Sequence, residues 1–295
     1  MLKRVNKKRI IYGTAKIGNP NYGFSSKKHK SLENQVDFIK KIIKFGINRF
    51  DTSPRYGNAE IILGNSIKGL KNNPIVDTKI IDLNPHDKNI ESIILNQVQT
   101  SLKRLNINKI NVLYLHQNEL EIISNKIIQK TLEKVLNMGF ANSLGISVYS
   151  LDEFNYGLNS EIYKTIQAPL NILNHSFYES FIKNNLKKEL IARSIFIQGT
   201  LLNTNFKKIR QLNLELYNSI YNLYNVCESH NTTVLNEAKS SVFSLEKINI
   251  IQSSLSLKNI KSNLNYDISK SKLILKSIIK HMDSGYTFTN PRNWS

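Results

Sequence analysis

Four residues of this 295-residue chain could together deliver a proton to a reacting oxygen. Asp51 ends an apolar segment inside the run FGINRFDTSPRYGNAEIILG, which extends from Phe45 to Gly64, and Tyr56 follows in the next loop. Lys79 closes Val76-Asp77-Thr78-Lys79, and His116 closes Leu113-Tyr114-Leu115-His116. Reducing a carbonyl by hydride transfer builds negative charge on its oxygen, and an acid has to supply a proton there. A free tyrosine is a poor acid, with a reference pKa of about 10. An ammonium beside Tyr56 would stabilise the phenolate and lower that value. Asp51 would hold Lys79 charged and in place, because a buried ammonium without a partner is costly. His116 would orient the substrate oxygen or relay a proton. Each residue alone fits a structural role at a strand end. The argument for chemistry lies in all four standing at consecutive strand ends.

That argument needs a fold that gathers those ends. The chain reads as strand, turn and amphipathic helix, repeated. Candidate strands are Arg9–Ala15, Arg49–Ser53, Ile75–Ile80, Ile110–His116, Ser143–Val148, Thr165–Asn171, Ile191–Phe196 and Ile248–Ser254. They are short and apolar, as strands covered on both faces should be. Helical spacing follows over Ser31–Phe45, with Val36, Ile39, Ile42 and Ile43 on one face and Gly46 as its stop. Ile90–Leu105, Thr131–Met138, Tyr217–Glu228 and Val234–Leu245 read the same way. Eight such units close into a (β/α)8 TIM barrel, α/β in class, a single domain over residues 1–295. An additional C-terminal helix, Ser269–Met282, is expected outside the barrel, and Gly285–Ser295 as a tail over the surface. An open dinucleotide-binding sheet would carry G-x-G-x-x-G after its first strand. The segment Gly13-Thr14-Ala15-Lys16-Ile17-Gly18 does not match, and no Lys-Ser or Lys-Thr follows Gly18 to make a P-loop. In a barrel, the ends of strands two, three and four surround one cavity, so Asp51, Lys79 and His116 converge and Tyr56 leans in.

Taken in order, these segments resemble the aldo-keto reductases over nearly the whole chain. The likeness runs from Tyr12-Gly13-Thr14-Ala15 through Asp51-Thr52 to Gly57, then Thr78-Lys79, Leu115-His116, Leu144-Gly145-Ile146-Ser147 and Ile166-Gln167. It continues through Ala192-Arg193-Ser194 to Gly199-Thr200-Leu201-Leu202. The closing Asn290-Pro291-Arg292-Asn293-Trp294 is similar to the tail of a bacterial branch associated with cell-surface sugar metabolism. The resemblance implies an NADPH- or NADH-dependent reductase of an aldehyde or ketone, with sugar derivatives among the candidate substrates. Tyr56 would be the acid, with Asp51, Lys79 and His116 around it. Ser147 and Gln167 would hold the nicotinamide carboxamide. Arg193 would stack on the nicotinamide ring, and Ser194, Phe196 and Gln198 would approach the pyrophosphate. Thr14, Asp51, Ser254, Ser256 and Asn259 would complete the cofactor contacts. Two departures bear on this. Val148 stands where many members carry Asn, so one carboxamide contact is lost or replaced. Ser253 and Asn259 stand where NADP-preferring members place Lys and Arg, leaving only Lys258 nearby, so the choice between NADH and NADPH stays open.

Composition narrows the alternatives. Cys227 is the only cysteine, which excludes an intrachain disulfide and a multi-cysteine metal site. Its helical run marks it as a packed small residue. His29, His86, His175, His230 and His281 show no metal-ligand spacing and read as surface or structural. The formal charge of +19 raises a nucleic-acid partner as a rival reading. The lysines are scattered over helix faces, however, and no aromatic-basic motif accompanies them, so a solvated basic surface is the preferred account. No apolar stretch approaches the roughly 18 residues a membrane span needs. Met1–Arg9 is basic but leads into a strand and not the apolar core of a signal peptide, so the cytoplasm is the expected location. The loop from Gly18 to Lys30 is a candidate substrate wall through Asn19, Asn21, Tyr22 and Phe24. A cofactor-binding regulatory or slow-turnover protein on the same fold is the alternative function. Substrate identity and oligomeric state stay open, because substrate loops vary freely on this fold.

Overall fold

The computed structural model describes residues 5–19, 22–23, 31–184, 187–268 and 286–294. Eight strands, β1 (Ile10–Gly13), β2 (Arg49–Asp51), β3 (Ile75–Ile80), β4 (Ile110–Leu115), β5 (Ala141–Ser147), β6 (Tyr163–Pro169), β7 (Glu189–Arg193) and β8 (Ile248–Gln252), close a barrel in chain order. Every pairing is parallel, and β8 returns to β1 with Ile10 opposite Ile250 and Tyr12 opposite Gln252. The helices are α1 (Ala15–Gly18), α2 (Leu32–Lys44), α3 (Ala59–Ile67), α4 (Ile90–Leu105), α5 (Leu120–Ile123), α6 (Lys126–Asn137), α7 (Leu151–Asn159), α8 (Ser176–Asn184), α9 (Phe206–Leu212), α10 (Leu214–Ser229), α11 (Val234–Phe243) and α12 (Leu257–Leu264). Among the described residues no helix is long and apolar enough to cross a membrane.

Local chemistry sets the helix ends. The Ser31 hydroxyl accepts from Asn34 N–H to open α2, and Gly46, with φ +88°, ends it in a conformation that glycine adopts without strain. Ser150 and Glu153 form a reciprocal capping box that opens α7 directly after β5. Asn125 caps α6 through the amides of Ile127 and Ile128, so that helix begins at Lys126, before the expected Thr131. The expected strands five to seven run past the observed ends for one reason. Val148, Leu170 and Ile195 are buried in the main core although they lie in loops, so the apolar signal outlasts the strand.

Two interiors result. Between barrel and helices lies the main core, to which α2 contributes Phe38, Ile39 and Ile42 and α4 contributes Ile94, Val98 and Leu105. Inside the barrel, Ile11, Val112, Tyr114 and Ile191 fill the middle. An ion network seals the N-terminal end. There Arg49 donates to Asp77 at 2.8 Å and to Glu189 at 2.5 Å, and Asn249 donates to Glu189 at 2.6 Å. The opposite end is left for the site. A second apolar cluster joins α9, α10 and α11. Cys227 is buried within it, with burial raising its thiol pKa to about 11, as a packed and unreactive residue should be. The expected helix Ser269–Met282 lies outside the described residues. The closing segment does more than run over the surface. Phe288 and Thr289 are buried, Phe288 joins the second cluster, and Trp294 donates its indole N–H to the Phe288 carbonyl at 2.9 Å.

Candidate active site

A cleft of about 670 Å³ opens at the C-terminal end of the barrel and is lined by Asp51, Tyr56, Lys79 and His116 together. Asp51 is the last residue of β2 and Lys79 is near the end of β3. The Lys79 ammonium donates to Asp51 Oδ1 at 2.6 Å and to the Thr52 carbonyl at 2.9 Å. The same Asp51 oxygen accepts from the Gln167 amide of β6 at 2.6 Å. The ion pair is almost wholly withdrawn from water, at 2% and 5% side-chain exposure. In such a place a charge without its partner is very costly, so each residue holds the other in position. His116, one residue past β4, meets Ser53 Oγ through Nδ1 at 3.0 Å, which fixes its ring. The Tyr56 ring stands edge-on to His116 at 5.8 Å and to Tyr22 at 6.1 Å, with the Lys79 ammonium 5.5 Å from its centroid.

The position of Tyr56 depends on a backbone contact. A Cβ built on Gly18 would fall 1.7 Å from the Tyr56 carbonyl oxygen and 2.6 Å from Ala59 N, so the end of α1 packs directly on the loop that carries Tyr56. Across this contact, Gly57 turns with φ +59°. The acidity expected of Tyr56 from the sequence is reversed in this state. Burial raises its pKa above the ordinary phenol range, and Asp51 adds to the rise, while Arg193 and Arg55 oppose it.

Of the residues expected to hold a cofactor, Asp51, Ser147, Gln167, Arg193, Ser194, Phe196, Gln198, Ser254 and Asn259 all line the cleft. Ser147 and Gln167 are register partners across β5 and β6. The Arg193 guanidinium lies 4.0 Å from the centre of the Tyr149 ring and donates to the Val148 carbonyl at 2.7 Å, while its buried Nε has no partner. Val148 is fully buried and offers the cleft nothing polar. After β7 the backbone turns left-handed at Ser194 (φ 60°), Ile197 (φ 46°), Gln198 (φ 54°) and Gly199 (φ 95°). Such strain, above all at a β-branched residue, is tolerated where surrounding packing fixes it and is concentrated at ligand sites. Thr14 and Ser256 are not among the lining residues. The Thr14 hydroxyl lies within hydrogen-bonding distance of the Asp51 carbonyl at 3.1 Å and of the Thr52 hydroxyl at 2.8 Å, bracing the strand that presents Asp51. Ser256 caps α12 by accepting from Asn259 N–H at 3.3 Å. Lys258 is exposed and outside the cleft. In the loop after β1, Asn19 and Tyr22 line the cleft, whereas Asn21 and Phe24 lie outside the described residues.

Sequence reasoning missed Tyr149, Lys239, Gln252, Ser262 and Asn263, which also line the cleft. The signal for Lys239 lay in α11, where the run Glu237–Phe243 is buried on every side despite two charged residues. A helix covered all round has no solvent face for a lysine, so that lysine must look into a cavity or meet a partner.

Comparison with known proteins fits this geometry. The sequence model of the Aldo/keto reductase family matches residues 9–272. The chain belongs to that family. It is similar to D-arabinose 1-dehydrogenase of Saccharomyces cerevisiae, 25% identical over 259 residues that cover 80% of this chain and 77% of that protein. It is also 26% identical to an uncharacterized oxidoreductase of Mycobacterium bovis over 145 residues, 48% of this chain and 43% of that protein, so the match spans less than half of that relative. The glycerol dehydrogenase AKR11B4 of Gluconobacter oxydans superposes with a TM-score of 0.69 at 19% identity, covering 96% of both chains, and shares the fold.

The residues present also fit a bound dinucleotide. The cleft runs from the Tyr56 side past β7 to β8 and α12, and it leaves the buried donors Arg193 Nε, Gln252 Nε2 and Ser253 Oγ without a protein partner. Unpaired donors that line a cleft are what a polar ligand would complete.

Proposed function

We propose that this chain reduces an aldehyde or ketone with NADPH or NADH, and that Tyr56 delivers the proton. The observation that carries the reading is the convergence of Asp51, Tyr56, Lys79 and His116 on one cleft. The cofactor, when bound, supplies a hydride to the carbonyl carbon, and Ser147, Gln167, Arg193 and the loop after β7 would hold it. The chain's own residues handle the proton. The raised pKa keeps the Tyr56 phenol protonated at neutral pH, so it is present as a donor. A phenol that gives up its proton leaves a negative oxygen whose ring is 5.5 Å from the Lys79 ammonium, and that ammonium supplies the compensating charge. Asp51 holds the ammonium in place at 2.6 Å. His116, fixed through Nδ1 by Ser53, would meet the substrate oxygen through Nε2 and hold it against the phenol.

The sugar dehydrogenase name of the yeast relative favours a sugar or a similar polyhydroxy carbonyl compound. Asn19, Lys16 and Arg55 give the cleft polar lining beside Tyr22, which suits hydroxyl-rich ligands. The test is a titration of purified protein with each reduced cofactor, followed by turnover on a panel of aldoses and simple aldehydes. Saturable quenching of protein fluorescence with cofactor oxidation by one panel member is the expected result. Absence of binding by both cofactors would end the reading.

A further inference from the structure

The cleft also holds a buried cation that has no ion-pair partner among the described residues. Lys239 is 4% exposed, although it is a lysine in the middle of α11. Its ammonium donates to the Ser262 hydroxyl of α12 at 3.2 Å and lies 5.5 Å from the Tyr266 ring. Among the described residues no carboxylate forms an ion pair with it. Glu237 on the same helix accepts from the Thr232 hydroxyl through Oε1 at 2.6 Å and makes no ion pair with Lys239, although its Oε2 is buried without a partner among the described residues. Burial draws the Lys239 pKa down. Around it the cleft wall supplies more donors than acceptors. The Gln252 side chain, 4% exposed, accepts from Asn263 Nδ2 at 2.7 Å, and its own Nε2 has no partner. The adjacent Ser253 Oγ is also buried without a partner. An ammonium, an amide N–H and a hydroxyl, all sheltered and all facing one cavity, make up the donor set of a phosphate monoester site. In barrels of this type phosphate groups commonly settle by the loops after strands seven and eight, where this set is found.

Position separates this set from the pyrophosphate loop. Lys239 is tied to α12, beyond β8, whereas Ser194–Gln198 follow β7. A dinucleotide with its nicotinamide beside Ser147 and Gln167 would reach α12 with its adenosine half. On the reading that this chain binds a nicotinamide cofactor, we propose that Lys239 is its specificity determinant: the ammonium binds the 2′-phosphate of NADPH, with Gln252 Nε2 and Ser253 Oγ as neutral donors. The cation therefore comes from the helix before β8, taking over from the charges absent at Ser253 and Asn259.

The test uses the full chain and equilibrium binding. Two fragments that differ by the one phosphate, 2′,5′-ADP and 5′-ADP, are titrated against wild type, Lys239→Met and Lys239→Arg, alongside NADPH and NADH. The wild type should prefer 2′,5′-ADP and NADPH over their partners by about tenfold or more, the usual worth of a charge-assisted bond. Lys239→Met should lose that preference while NADH affinity stays within about twofold, and Lys239→Arg should keep most of it. Lys239→Met should also raise the melting temperature of the ligand-free protein, since it removes a buried unpaired charge, whereas a merely structural lysine would lower it. Equal weakening of NADPH and NADH, or no wild-type preference between the two fragments, overturns the assignment. The wild-type fragment comparison needs no variant, so a misfolded Lys239→Met leaves the test intact. If neither cofactor binds the wild type, the carbonyl-reductase reading itself falls. If both bind and Lys239→Met changes nothing, only this inference falls.

Discussion

Replacing Lys79 with Met isolates the ion pair at the base of the site. The ammonium is 2% exposed and the Asp51 carboxylate 5%, so neither can turn to water when the other is lost. Breaking a buried pair from one side typically costs about 3–5 kcal/mol. Here the Gln167 amide still donates to the same Asp51 oxygen at 2.6 Å, which places Lys79→Met at the lower end, about 3 kcal/mol. Lys79→Met/Asp51→Asn removes both charges, and the Asn carbonyl can still accept from Gln167. The double variant should therefore recover about 2 kcal/mol relative to Lys79→Met alone. Urea unfolding of the purified variants at neutral pH measures both quantities. A cost under about 1 kcal/mol for Lys79→Met, or a double variant no more stable than the single, would refute the claim that the two charges depend on each other.

Three further outcomes follow from single features. Gly18→Ala puts a methyl 1.7 Å from the Tyr56 carbonyl oxygen; the Tyr56 loop must shift, and carbonyl reduction should fall on the order of a hundredfold in a protein that retains its circular dichroism spectrum. Unchanged turnover would contradict the packing argument. His175 is buried and its pKa is pushed from 6.5 down to about 4 by burial, so the unfolded chain binds the extra proton between those values and stability is lost as pH falls through that window. Compared with His175→Asn, the wild type should lose up to about 3 kcal/mol between pH 7 and pH 4, and a pH-independent difference would count against it. Cys227, whose thiol pKa burial raises to about 11, should resist alkylation in the native protein and react on unfolding; rapid labelling of folded protein would show the burial to be wrong.

The barrel was legible because its strands announce themselves. Asp51 ends β2, Lys79 stands next to the last residue of β3 and His116 directly follows β4, and parallel eightfold closure turns those ends into neighbours. What stayed hidden depended on contacts that spacing does not encode. Thr14 stands at the right height but points its hydroxyl into β2, because Asp51 and Thr52 offer it buried partners. The raised pKa of Tyr56 comes from burial, to which the Tyr22 ring of the loop after β1 contributes, and its distance from Tyr56 in sequence says nothing of contact. Lys239 is one of many lysines in the chain, and only the packing of α11 on all sides distinguishes it from a solvated one. The closing Phe288 and Trp294 read as a surface tail because local composition does not show that α10 and its neighbours leave an apolar seat for them.

The central claim is that Tyr56 is the proton donor in a nicotinamide-dependent carbonyl reduction. The most direct measurement is single-turnover oxidation of bound NADPH or NADH by an accepted aldehyde, followed by loss of nicotinamide absorbance in wild type and Tyr56→Phe. Phenylalanine keeps the ring that packs against His116 and Tyr22 and removes only the hydroxyl. The account predicts cofactor affinity within about twofold of wild type and a chemical step slower by about a hundredfold or more. A Tyr56→Phe protein that binds cofactor and turns over at the wild-type rate would contradict it.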